Sequence, residues 1–284
     1  MSILPDYLES AIDLHVHSAP DVDARRFDDL DLAREAQRAG MGAILIKSHQ
    51  NSTVERAWLV AKVVSDIQVF GGLVLNNTIG GLNVEAVRLA IAMGAKEIWM
   101  PTRSALNHRK HHGQDGGIRI LDASGGLVPE ATAILQAMAQ SDCILGTGHL
   151  SPIESSALIH RARQWGVRKV LVTHPEWPPT FYSIEEQKEL AHLGHVWFER
   201  CFVSTTHLCG CVPFQVIEEA IAEIGVETTV LSTDLGQPQT PPPAEGLGLY
   251  AAQLRSSGFS KEQIRQMMCT NPGRLLFEKG TGQS

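Results

Sequence analysis

Residues 11–17 read AIDLHVH, a short apolar run ending in two histidines one residue apart. Side chains alternate between the faces of a β-strand, so His15 and His17 point to one side. Seven more runs of this size follow: 43–49 (AILIKSH), 67–76 (IQVFGGLVLN), 97–101 (EIWMP), 143–149 (CILGTGH), 169–174 (KVLVTH), 195–199 (HVWFE) and 228–234 (TTVLSTD). Several are apolar on consecutive residues, which suits strands of a parallel sheet buried on both faces.

Amphipathic stretches separate most of these runs. Val54, Trp58 and Ala61 recur at i, i+4, i+7, as do Val84, Val87 and Ile91 at helical spacing. Thr53 and Asn83 read as N-caps of these two helices, each with a Glu in the first turn. Gly40, Gly94, Gly166 and Gly194 each close a helical pattern before the next strand. Eight such units in 284 residues predict a (β/α)8 TIM-like barrel, one domain over 1–284, with a long loop at about 102–128 and a helical tail over about 246–284. No G-x-G-x-x-G follows the first strand, which argues against an open dinucleotide-binding sheet. The proline-rich QPQTPPPAEG at 237–246 reads as a stiff loop.

Barrel enzymes build their sites at the C-terminal ends of the strands. Read this way, strand one ends in His15 and His17, strand two in Lys47 and His49, and strand five in His149. Strand six ends in His174, strand seven in Glu199 and strand eight in Asp234. A barrel would gather all of these at one mouth. A lone histidine there is ordinarily a hydrogen-bonded core residue; the whole set points instead to a divalent metal. Imidazoles plus a carboxylate, with a position left open, suit catalytic Zn2+, with Mn2+ or Fe2+ also compatible, one or two per chain. Water bound to such an ion ionises near pH 7. His49 reads equally as a ligand or a substrate contact. Lys47 reads as a charge partner for an anionic substrate, a buried salt-bridge lysine or a carbamylated bridging ligand. Glu199 reads as a ligand, as an orienter of a histidine or as a partner of Arg200; Glu176 has the same alternatives.

Composition narrows the partners. The chain carries 24 Lys+Arg against 31 Asp+Glu, a net charge of -7, with no long basic run, so nucleic acid is not expected. The apolar runs are far shorter than the roughly 20 residues of a membrane helix. The start, MSILPDYLESAIDLH, lacks the pattern of a secretory leader, and five cysteines make no disulfide framework, so a cytoplasmic location is expected. The Cys209-Gly210-Cys211 pair reads as two free thiols, and the five tryptophans as core or under-loop packing, with Trp177 near substrate. Homo-oligomerisation is left open.

The pieces D-L-H-V-H at 13–17, the His of GTGHL, the His of VTHPE, the Asp of STDLG and the N-P-G-R-L segment at 271–275 together resemble the amidohydrolase superfamily of metal-dependent barrel hydrolases. The resemblance runs in order from residue 11 to 276. It implies that His15, His17 and Asp234 bind metal, that Asp234 is also general base, that His149 is a further ligand, and that His174 binds a second metal or orients water or substrate. Strand four departs from the pattern. It offers Met100, Pro101 and Thr102 where dinuclear members carry a bridging Lys or Glu. Either one metal is bound, or Lys47 or His49 replaces the bridge. A histidine ending strand two is also similar to the polymerase-and-histidinol-phosphatase barrels, which are phosphoesterases, although their Asp-x-His near the chain end is not evident.

The loop after strand four holds Arg103, His108, Arg109, Lys110, His111 and His112. On an acidic chain this cluster points to a small substrate bearing a carboxylate or phosphate, or else to a solvated polar loop. Gly116-Gly117 and Gly125-Gly126 read as hinges or tight turns. The expected activity is hydrolysis of an amide, lactone or related C–N or C–O bond. The alternatives are a phosphoesterase, a one-metal decarboxylase or hydratase, and an inactive ligand- or metal-binding barrel.

Overall fold

The computed structural model describes residues 5–279. Eight strands alternate with helices: β1 Ile12–Val16, β2 Ala43–Ile46, β3 Gln68–Val74, β4 Glu97–Trp99, β5 Ile144–Gly146, β6 Val170–Thr173, β7 Val196–Cys201 and β8 Thr229–Ser232. All neighbours pair in parallel, in chain order. Eight principal helices cover the outside: α1 Asp29–Arg38, α2 Val54–Val60, α3 Val84–Ala92, α4 Pro129–Ala139, α5 Pro152–Trp165, α6 Ile184–Ala191, α7 Phe214–Ile224 and α8 Pro243–Ser256. This is the TIM-barrel architecture expected from the sequence. Among the described residues, no helix is long and apolar enough to cross a membrane.

The seam between β8 and β1 is closed by the backbone just past β8. Asp234 N–H donates to His15 O, and His17 N–H donates to Leu235 O, both at 2.8 Å. Asp13 reinforces the seam by accepting from Thr233 N–H (3.1 Å) and its hydroxyl (2.5 Å).

Strand β1 changes phase halfway along. Asp13 pairs with Ile44 and Val16 with Ile46, so three steps of β1 oppose two of β2. Such a bulge re-aims side chains. Ile12 and Leu14 therefore pack inside the barrel against Leu45, while His15 and His17 above them also face the axis. The interior floor is closed from below by the terminal helix Asn271–Phe277, whose Leu275 and Leu276 join Leu171 and Val230. Burying each of these leucines contributes about 1.5–3 kcal/mol. Asn271 Nδ2 donates to the carbonyls of Val226 and Thr229, fixing the N-P segment beneath β8.

Three local expectations need correction. Asn83 caps α3 by accepting from Glu85 N and Ala86 N, but Thr53 makes no cap bond to α2. Its hydroxyl instead donates to Ile46 O (2.6 Å) and accepts from Gly72 N (2.9 Å), joining the ends of two strands. The Thr53 carbonyl lies so close that a Cβ on Gly71 would meet it at 2.3 Å. Strand seven also runs past Glu199 to Cys201, so Glu199 sits within the strand rather than at its end. Trp58 and Trp165 are exposed rather than packed, and the five cysteines are free.

Candidate metal centre and cavity

His15 lies on β1, and His17, Lys47, His174 and Asp234 follow β1, β2, β6 and β8 within two residues. All five side chains reach the upper interior. His15 Nε2 and His17 Nε2 each lie 3.0 Å from Asp234 Oδ1. His15 Nδ1 lies 3.1 Å from Glu199 Oε2, and Lys47 Nζ lies 2.9 Å from His15 Nε2. Glu199 does not pair with Arg200. That guanidinium points outward to Glu176 and Gln187. His174 and Asp234 hold φ of +33° and +54°, the left-handed region that non-glycine residues adopt at a cost of order 1–3 kcal/mol.

Burial and neighbouring charges act in opposite directions on this cluster. Burial works to raise Asp234, but the neighbouring His15 and His17 overcome it and hold the carboxyl well below its ordinary range. Burial works to lower His15, yet Asp234 and Glu199 hold it above its ordinary value. Burial pushes His17 and His174 down to about 3 and His149 well down, leaving neutral imidazoles. Lys47 is lowered by burial, partly offset by Asp234, Glu199 and Glu97. It also lies over the Trp99 ring at 5.1 Å.

Among the described residues, two groups of ligand-type atoms lie mutually within 4.8 Å: His15, His17 and Asp234, and His15, Glu199 and Cys201. The first fits a divalent metal. Its three atoms are two imidazole nitrogens and a carboxylate oxygen, and the buried His17 Nδ1 has no protein partner that would dictate its tautomer. The second reads as support for the first. A carboxylate only accepts, so His15 Nδ1–H donates to Glu199, which places Nε2 on the side of Asp234, where a metal would sit.

His149 and His174 form a facing wall, with ring centroids 5.0 Å apart and each 4.9–5.0 Å from Trp177. The His174 ring is 6.2 Å from His15. His149 is not in the close trio; its Nδ1 faces His108 Nδ1 at 2.8 Å. His49 stacks on His17 at 5.1 Å and pairs with Thr102 Oγ1 at 2.9 Å.

Above the trio is a cavity of about 350 Å³ lined by Arg103, His108, His149, His174, Trp177 and Asp234. The long loop after β4 contains a short helix, Leu106–His111, tied down by Asn107 Nδ2 donating to the carbonyls of His149 and Pro179. This helix delivers His108 to the cavity. Arg103 Nη1 is 2.6 Å from Asp23 Oδ2. Arg109 instead donates to the Asp115 carbonyl, and His111 and His112 are exposed. Gly117 permits close packing, since a Cβ there would meet Leu106 Cα at 2.6 Å.

Sequence reasoning missed Glu97, buried on β4 with both carboxylate oxygens unpartnered. Burial and the nearby Glu199 push its pKa well up. Its only sequence signal is a charge opening an apolar run. Cys209, Gln237 and Gln239 at the cavity edge gave no signal beyond their loops.

Solved structures share this fold. An amidohydrolase from Pseudomonas aeruginosa is 13% identical over 96% of this chain and 98% of its own, with a TM-score of 0.65. The dipeptidase AC, a metallo peptidase, is 12% identical over 94% and 98%, with a TM-score of 0.60. A 2,6-dihydroxybenzoate decarboxylase from Rhizobium is 12% identical over 94% and 98%, with a TM-score of 0.54. No curated protein matches the chain. Residues 10–199 match the model of a family of unknown function, DUF6282, and the chain belongs to that family.

Proposed function

We propose that this protein is a metal-dependent hydrolase that cleaves an amide, lactone or related C–N or C–O bond of a small anionic substrate. The observation that carries this reading is the convergence of His15 Nε2, His17 Nε2 and Asp234 Oδ1 beneath a cavity of substrate size. These three residues would hold the ion. When bound, it would polarise a substrate oxygen and acidify water. The remaining chemistry belongs to the chain. Asp234, kept ionised and facing the cavity, takes a proton from the attacking water and returns it to the leaving nitrogen or oxygen. Neutral His174 donates a hydrogen bond to the substrate carbonyl oxygen, and Trp177 covers the apolar part of the substrate. Arg103 and His108 are the polar groups at the rim able to meet an anionic end.

The fold shared with a metallo peptidase supports hydrolysis, and the fold shared with a decarboxylase supports a second reading in which a carboxylated ring loses CO2. Two measurements test the proposal. Elemental analysis should find divalent metal in the wild type and little in the His15→Ala/His17→Ala variant. A substrate screen should then record turnover of N-acyl amino acids or carboxylated lactones, lost in the same variant. Turnover confined to phosphate esters, or to decarboxylation, would replace the hydrolase reading.

A further inference from the structure

The opposite end of the barrel carries a second cleft, of about 340 Å³, that shares no residue with the metal centre. It is lined by Arg163, Arg168, Lys169, Arg274 and Lys279 together with His195, Trp197 and one carboxylate, Glu278. Arg163 lies in the last turn of α5, Lys169 just before β6, Trp197 on β7 and Arg274 on the helix that plugs the barrel floor. Five of the chain's 24 Lys and Arg therefore meet in one cleft of a protein whose net charge is -7.

Their countercharges are few. Arg168 pairs with Asp142 at 2.6 Å, and Arg274 lies 3.6 Å from Glu278. Arg163 and Lys169 spend one donor each on the carbonyls of Val167 and Leu275, at 2.8 Å. Arg168 Nε is buried with no partner. Burial lowers Lys169; Asp142 and, more weakly, Glu278 oppose this, while the cations of Lys96 and Arg168 add to it. Trp197 is half-buried, packed on the barrel floor on one side and open to the cleft on the other, with His195 at 6.2 Å.

Guanidinium forks and a lysine around a concave space match the oxygens of phosphate groups. The cleft has the size of a small-molecule site rather than the extended stripe that tracks a nucleic acid. We propose that it binds a small oligophosphate, free or as part of a nucleotide whose base stacks on Trp197.

The test uses the full-length protein, with calorimetry and tryptophan fluorescence, titrated with tripolyphosphate, ATP and adenosine. Saturable binding of tripolyphosphate or ATP is expected, weakening as salt is raised, with none for adenosine alone. Tripolyphosphate at least as tight as ATP assigns the site to the free anion; tighter ATP assigns it to a nucleotide on Trp197. Arg163→Ala/Arg274→Ala should lower affinity at least about tenfold with an unchanged melting temperature. Should that variant fold poorly, Arg274→Glu/Lys279→Glu, at two exposed positions, gives the same readout. Absence of saturation with either phosphate compound, or unchanged affinity in the folded variant, overturns the proposal. The substituted residues lie outside the metal centre and its cavity, so loss of binding in these variants locates the phosphates in this cleft.

Discussion

His15 Nδ1 lies 3.1 Å from Glu199 Oε2, and this buried contact decides which imidazole nitrogen faces Asp234. Partners of this kind raise metal affinity by fixing the ring and its tautomer. Glu199→Gln keeps the shape but lets the amide present either an oxygen or an NH2 to His15. Divalent-metal affinity should fall about 10–100-fold, read by competition with a chromophoric chelator. Unchanged affinity would remove Glu199 from the site's support.

Asp13 gives a pH prediction. Burial raises it to about 7, against the donors of Thr233 and His15. The folded pKa is above the unfolded value of 3.8, so the folded chain holds this proton longer. Its contribution to stability is complete below pH 3.8 and is lost as pH rises toward 7. Asp13→Asn cannot titrate and preserves most of the seam. The melting temperature of the wild type, taken relative to this variant, should fall by about 5 °C or more between pH 4.5 and 7.5. Parallel curves across that window would show that Asp13 is ionised throughout.

Thr53 joins β2 to β3 through one hydroxyl that both donates and accepts. Thr53→Ala leaves the buried Ile46 carbonyl and Gly72 N–H short of partners and should cost about 1–3 kcal/mol in urea unfolding. Asn83→Ala removes a true helix cap and should cost about 1 kcal/mol. A smaller loss at Thr53 than at Asn83 would show that the tie between the two strands contributes little to stability.

The contrast between these two residues shows what the sequence carries. Both precede helices with a Glu in the first turn, and nothing local separates a cap from a strand tie. The eight strands were legible because parallel strands buried on both faces leave continuous apolar runs. Lys47, His174 and Asp234 were legible because each follows such a run at once. The bulge in β1 was not, since alternation alone cannot say which face of Asp13-Leu14-His15 meets the axis. Glu199 was placed at a strand end because Arg200 and Cys201 break the apolar pattern, although β7 continues through them. Arg163, Lys169 and Arg274 form one cleft only after the chain closes into a ring.

Gly146 tests the packing beneath the metal centre. A Cβ there would lie 2.4 Å from Glu97 Oε1 and 2.5 Å from Trp99 Cδ1, so both side chains must shift to admit it. Gly146→Ala should destabilise by about 1–3 kcal/mol in denaturant unfolding. Because Lys47 lies over the Trp99 ring, the same variant should also weaken metal binding. Loss of stability with intact metal affinity would separate the barrel floor from the site above it.

Arg103 tests how the proposed substrate is held. Its guanidinium lines the cavity, yet its observed partner is Asp23, whose carboxylate lies between it and Arg25. An anionic substrate would compete with Asp23 for the same fork. Arg103→Ala should therefore raise KM for carboxylated substrates by about tenfold or more while leaving their uncharged amide analogues nearly unchanged. Asp23→Asn frees the guanidinium and should move KM for the carboxylated substrates the other way. Opposite shifts confined to the charged substrates require direct contact with the anion. Equal shifts for both substrate types would mean that the pair only holds the two loops together.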